Sequence, residues 1–201
     1  MTTLVYLHGF VSSPASRKAT MLAQYLRREA PEIELVVPAL HHRPAQAVSQ
    51  VQWHCLGKRP SELVLVGSSL GGFYATVVAE KTGCRAALVN PAVHPQRHFA
   101  RYLGPQENLY TGERFELTRE HVAELEALDP PAITRPGRYW LLVESADEVL
   151  DCREAIAYYA GARQSIVPGG DHAFSSFPDF LPAIAAWARA CGEAAAAGAA
   201  P

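Results

Sequence analysis

The residues that could do chemistry begin with Gly67-Ser68-Ser69-Leu70-Gly71, a G-x-S-x-G sequence followed by a further glycine at position 72. A serine alcohol is a poor nucleophile at neutral pH. It needs a base beside it and an acid that holds the base in the useful tautomer. The flanks suit such a nucleophile. Leu63-Val64-Leu65-Val66 reads as a strand buried on both faces, and Phe73, Val77 and Val78 with alanines between them read as a helix packed on a sheet. Strand, sharp turn and helix in that order would hold Ser69 at the apex of a strained turn, while the glycines let the backbone pass close to its neighbours. In a chain of this composition the pattern arises by chance about 0.05 times.

With a nucleophile of this kind the partners follow in the order serine, acid, histidine, each on a loop after a later strand. Of the eight histidines, His172 alone lies beyond the last two expected strands, in Gly169-Gly170-Asp171-His172-Ala173-Phe174. The acid should end the strand before, where Glu144, Asp147, Glu148 and Asp151 all stand. Glu144 is still on the strand and Asp151 caps the next helix. Asp147 occupies the loop between them, within reach of Nδ1 of His172, and is the choice. Asp129, before Pro130-Pro131, belongs to a helix end, and Asn90 is no acid. Negative charge developing on a substrate oxygen needs preorganised donors. The backbone N–H of Leu70, after the nucleophile, and that of Phe10, in the loop after the first strand, are the candidates. His8 is expected to brace that loop.

These loops require a sheet to carry them. The chain of 201 residues, 49% apolar, fits one domain with a full core. Strands are expected over 3–8, 33–37, 62–66, 85–90, 138–143 and 164–167, with helices between. Ser13 reads as the N-cap and Pro14 as the first position of the first helix; Pro44 opens the second; Asp151 to Tyr159 and a segment from Pro178 are helical. Alternating strands and helices imply an α/β fold with a doubly wound, mostly parallel sheet. The alternation stops over residues 91–137, which carry a helix near Thr118 to Leu128 and a short strand at Arg114 to Leu117. An insertion leaving the carboxyl edge of a parallel sheet covers the active-site crevice, so this one reads as a lid. Its Phe99, Tyr102, Leu103 and Tyr110, with Leu109 and Phe115, would suit an acyl group. Residues 192–201, mostly alanine and glycine, read as a frayed tail.

Composition narrows the partners. A net charge of −2 offers no general attraction to nucleic acid or to anionic membranes, and no stretch reads as a signal peptide, so a cytoplasmic protein is expected. Cys55, Cys84, Cys152 and Cys191 match neither a zinc pattern nor a disulfide framework and read as buried thiols. His41-His42 reads as surface. No metal or cofactor is implied.

Taken together, these motifs resemble the α/β-hydrolase superfamily, and more closely the YqiA-type small bacterial esterases. The resemblance rests on Tyr6-Leu7-His8-Gly9-Phe10 with Ser12-Ser13-Pro14, Val66 to Gly72, Asn90-Pro91-Ala92-Val93, Tyr110-Thr111-Gly112, Asp147 to Asp151, and Gly169 to Phe174. It implies an α/β-hydrolase fold and a serine esterase acting on small acyl esters, or on acyl-CoA thioesters, with its triad at Ser69, Asp147 and His172. Ala146 stands where the pattern has a glycine before the acid, and the alanine-rich tail has no counterpart. The competing expectation is a protein that keeps the fold and binds a small acyl ligand without turnover.

Overall fold

The computed structural model of the chain describes residues 1–197, with side chains through residue 190. Six strands form one parallel sheet: β1 (Thr3–Leu7), β2 (Glu34–Val36), β3 (Leu63–Ser68), β4 (Arg85–Val89), β7 (Tyr139–Glu144) and β8 (Arg163–Val167), in the order β2-β1-β3-β4-β7-β8. The inner strands are apolar over most of their length because both faces are covered. Alternate residues serve opposite cores. Val5, Leu7, Leu65 and Leu88 face one, and Leu4, Tyr6, Val64 and Val66 the other.

The first core lies under helices α2 (Pro44–Cys55), α3 (Leu70–Thr82) and α6 (Cys152–Tyr158), and the second under α1 (Arg17–Glu29) and α7 (Phe177–Ala197). Helix α3 is buried at every position from Leu70 to Ala79 and stops at Gly83, which takes the left-handed conformation at φ 80°. The chain leaves β1 toward β2 on one side and returns to β3 on the other. The switch point thus lies between β1 and β3, where open parallel sheets form their binding crevice.

Several expectations need correction. Ser13 does not cap the first helix: its Oγ accepts the Ala15 N–H at 3.1 Å in a turn, and α1 begins one turn later, with Ser16 at the cap position. The insertion holds α4 (Gln96–Phe99), β5 (Gly104–Glu107), β6 (Arg114–Leu117) and α5 (Arg119–Leu128). The strand at 114–117 and the helix after Thr118 stand where the sequence suggests. The antiparallel partner β5 was not legible, because Gly-Pro-Gln-Glu carries no apolar alternation. Asn108 makes the turn between them: its Oδ1 accepts the N–H of Tyr110 and Thr111, and its Nδ2 donates to the Ser12 carbonyl at 2.8 Å.

His41-His42 is not open surface. The His42 ring stacks on Phe115 at 4.4 Å between centroids, and His42 Nδ1 lies 3.0 Å from Nε2 of the buried His121 on α5. Beside them the Arg43 guanidinium pairs with Glu124. Cys55 and Cys84 are buried as expected, whereas Cys152, at the start of α6, is partly exposed; the Cys191 side chain lies outside the described residues. Helix α7 continues to Ala197, and the rest of the expected tail, residues 198–201, lies outside the described residues. Among the described residues no helix is long and apolar enough to cross a membrane.

Candidate active site

Ser69 sits between β3 and α3 at φ 54°, ψ −123°, a conformation that L-residues rarely adopt. Its neighbours keep it there. The Ser69 N–H donates to the Val89 carbonyl at 3.0 Å, and its own carbonyl accepts the N–H of Gly72 and of Ala92. The glycines are required by contact. A Cβ on Gly67 would overlap the Gly71 carbonyl, and one on Gly71 would overlap the carbonyls of Leu7 and His8. The helix can therefore close on the strand only without side chains at these positions.

From this apex the Ser69 Oγ lies 3.0 Å from Nε2 of His172. Nδ1 of the same ring lies 2.9 and 3.0 Å from the two carboxylate oxygens of Asp147, whose side chain is only 2% exposed. A carboxylate only accepts, so Nδ1 carries the proton and Nε2 is left bare toward the serine hydroxyl. The Asp147 Oδ1 also accepts the N–H of Val149 at 2.8 Å and of Leu150 at 2.9 Å. Burial pushes this carboxyl pKa up, but the bonds from His172, Leu150 and Val149 outweigh burial and hold it below the usual range. Asp151 caps α6 through the Arg153 N–H, and Glu148 accepts the His172 N–H at 2.9 Å. Of the four acids weighed, Asp147 is thus the one on the imidazole.

Leu70 is the first residue of α3, so its N–H has no intrahelical acceptor and points out with the positive end of the helix dipole. The loop after β1 comes close from the other side: a Cβ on Gly9 would lie 3.3 Å from the Ser69 Cβ. Among the described residues no acceptor takes the Phe10 N–H. His8, buried beneath, is committed to this loop. Its Nε2 accepts the Leu40 N–H at 3.1 Å, and its Nδ1 faces the Gly9 carbonyl at 3.0 Å. Burial lowers its pKa, so it stays neutral at pH 7.

A cavity of about 520 Å³ opens over Ser69 and His172. Phe10, Leu70 and Val93 wall it together with Phe99, Tyr102 and Tyr110 from the insertion. Phe10 meets the Phe99 ring edge-on at 5.0 Å. Leu103 is not on the cavity: it turns outward and is 38% exposed, because the chain enters β5 there. Sequence reasoning missed Met21 and Phe174, which wall the cavity from the opposite face of the sheet. It also passed over Asn90, Glu144 and Lys18, whose polar atoms all reach the loop carrying His172. Only the apolar run ending in an acid, Val143-Glu144, hinted at them. Among the described residues no group of three or more His, Cys, Asp or Glu could hold a metal ion.

The fold with this geometry is that of the α/β hydrolases. It superimposes on alpha/beta hydrolase domain-containing protein 10 from mouse with a TM-score of 0.68 at 14% identity, over 92% of this chain and 88% of that one. The esterase domain from a Rhodothermus marinus protein gives 0.66 at 19% identity, over 94% and 86%. Est1E from Butyrivibrio proteoclasticus gives 0.65 at 13%, over 92% and 86%. The chain belongs to the uncharacterised protein family UPF0227, which it matches over residues 3–189. Two curated UPF0227 proteins, from Shewanella sediminis and Shewanella woodyi, are 23% and 24% identical over 96 and 94 residues, or 47% and 46% of this chain. The chain spans about half the length of these relatives, 54% and 52%.

Proposed function

We propose that this chain is a serine hydrolase that cleaves small carboxylic acyl esters through an acyl-enzyme. In this reading His172 takes the proton of Ser69 as its Oγ attacks the acyl carbon, and Asp147 holds the ring and stabilises the imidazolium. The N–H groups of Leu70 and Phe10 meet the oxyanion. The alcohol leaves with the proton from His172. Water, deprotonated by the same imidazole, then releases the acid. The single observation that carries the reading is the unbroken line from the Asp147 carboxylate through both nitrogens of His172 to the Ser69 Oγ, opening on a cavity with an aromatic wall.

Phe99, Tyr102 and Tyr110 would receive the acyl group, with residues 91–137 acting as a lid over it. The chemistry accepts a thioester equally well, since a thiolate leaves at least as readily as an alkoxide. The test is labelling with a fluorophosphonate probe, followed by kcat/KM over acyl chains of increasing length with p-nitrophenyl and CoA leaving groups. Intact protein should label and Ser69→Ala should not. Absence of labelling in the intact protein, beside active controls, would leave a binding protein on a hydrolase fold as the reading.

A further inference from the structure

The loop that carries His172 has little regular structure of its own. Between β8 and α7 it turns through Gly169 at φ 78°, Gly170 at φ 76° and Phe174 at φ 55°. An imidazole that must serve two partners at once needs placement well within an ångström. Three side chains from three separate elements supply that constraint, and their bonds end on the loop's backbone.

Glu144, the last residue of β7, is completely buried at 0% exposure. Its carboxylate accepts the N–H of Asp171 at 2.7 Å, of Ser176 at 2.9 Å and of Ser175 at 3.2 Å. Asn90, just beyond β4 and at φ 39°, holds the carbonyls instead. Its Nδ2 donates to the Asp171 and His172 oxygens at 3.0 and 3.2 Å, and its Oδ1 accepts the Glu144 N–H at 3.0 Å. Lys18 on α1 donates from Nζ to the Ala173 carbonyl at 2.7 Å. Glycine at 170 makes the approach possible, because a Cβ there would overlap the Glu144 carboxylate.

Burial alone would push the Glu144 pKa up. The bonds from Ser176, Asp171 and Ser175 outweigh it and keep the group ionised. The Lys18 ammonium is close enough to feel Asp171, Glu144 and Asp147, although burial dominates and lowers its pKa. A charged acceptor holding several N–H groups makes bonds about twice as strong as neutral ones. That strength is spent on the residues either side of the imidazole.

We propose that Glu144, Asn90 and Lys18 are positioning residues, which act through the backbone of residues 171–176 to hold the His172 ring between Ser69 and Asp147. The inference rests on the hydrolase reading of the same site. Replacing Glu144 by glutamine keeps the shape but turns an amide NH2 toward backbone donors, and a ring displaced by about 1 Å costs on the order of a hundredfold in rate.

The test is a double-mutant cycle on folded protein with p-nitrophenyl butyrate. Glu144→Gln should lower kcat at least about thirtyfold with KM changed less than about threefold. In a His172→Ala background the same substitution should change the residual rate by less than about twofold, because nothing remains to position. Equal losses in both backgrounds would overturn the proposal. Lys18→Met, which keeps the aliphatic stem, should show the same pattern with a loss of about threefold to tenfold, and covers the case in which Glu144→Gln does not fold. Amide hydrogen exchange separates this proposal from the hydrolase reading. The N–H groups of Asp171, Ser175 and Ser176 should exchange at least about tenfold faster in either variant than in the unsubstituted protein, whether or not any ester is turned over. Unchanged exchange would overturn the clamp, whereas a protein that fails to label with fluorophosphonate yet shows faster exchange loses only the hydrolase reading.

Discussion

Two groups of residues stand on the carboxyl edge of the same sheet, and they are held in opposite ways. The rim formed by the turn after β3, Asn90 at the end of β4 and the loops after β7 and β8 is fixed through backbone groups. Ser69, Asn90 and Phe174 sit at positive φ, and Glu144, Asn90 and Asp147 spend their polar atoms on main-chain N–H and C=O groups or on His172. The insertion over residues 91–137 instead hangs largely on side chains. His42 meets His121, and Arg43 meets Glu124. Backbone constraints fix a geometry whatever the side chains around them do, which suits a rim that must align three groups. Side-chain contacts can be exchanged without moving the main chain of the sheet edge.

The comparison is broken most severely by attacking the rim. Asp147→Asn should preserve the fold while lowering kcat about a thousandfold or more, because the amide no longer selects the tautomer with bare Nε2; steady-state kinetics beside circular dichroism checks this. Gly71→Ala should cost several kcal/mol, since its Cβ would enter the carbonyls of Leu7 and His8, which are backbone and cannot yield. A melting temperature lowered by less than about 5 °C would show the elbow to be softer than its contacts imply. Changes in the insertion should act on selectivity. Phe99→Ala removes a ring from the cavity wall and should shift kcat/KM between short and long acyl chains by about tenfold, with folding retained.

The smallest effect should come from pH on the histidine contact. Burial, followed by the neighbouring positive groups, lowers the pKa of both His42 and His121, with Glu113, Glu120 and Glu124 opposing. A group with a depressed folded pKa stabilises the fold above its unfolded value, about 6.5, and that stabilisation is lost as pH falls through the folded value. Between pH 7.5 and 5.5 the melting temperature should therefore drop by about 1–3 °C more in the unsubstituted protein than in His42→Gln. Equal slopes would mean that the insertion is not held by this pair.

Much of this is legible in the amino-acid sequence. The inner strands are short unbroken apolar runs, and the elbow is a five-residue pattern whose strain and glycines are local requirements. His172 and Asp147 could be read from their order along the chain, because each parallel strand delivers its following loop to the same edge. Residues whose roles depend on what lies opposite were not legible. Leu103 looked like an acyl-pocket residue but faces outward, and His41-His42 looked like surface until α5 came to lie beside it. Ser13 carries capping chemistry, but the turn at Ala15 takes its Oγ, and the helix begins at Arg17 with no side-chain bond from the cap residue Ser16.

By itself, then, the amino-acid order determined the strands and helices of the main sheet, the strained serine turn and the three side chains that meet beside it, since all of these follow from patterns within a few residues or from loop order. The tertiary structure alone decided that Glu144 reaches residues 171–176, that Asn90 spans two loops, and that aromatic rings from the insertion close a cavity over Ser69. Such contacts join positions from 27 to 82 residues apart along these two clamping side chains. They exist only once six strands have taken their register and the helices have packed, because hydrogen bonds of this kind depend on ångström distances that no local pattern encodes.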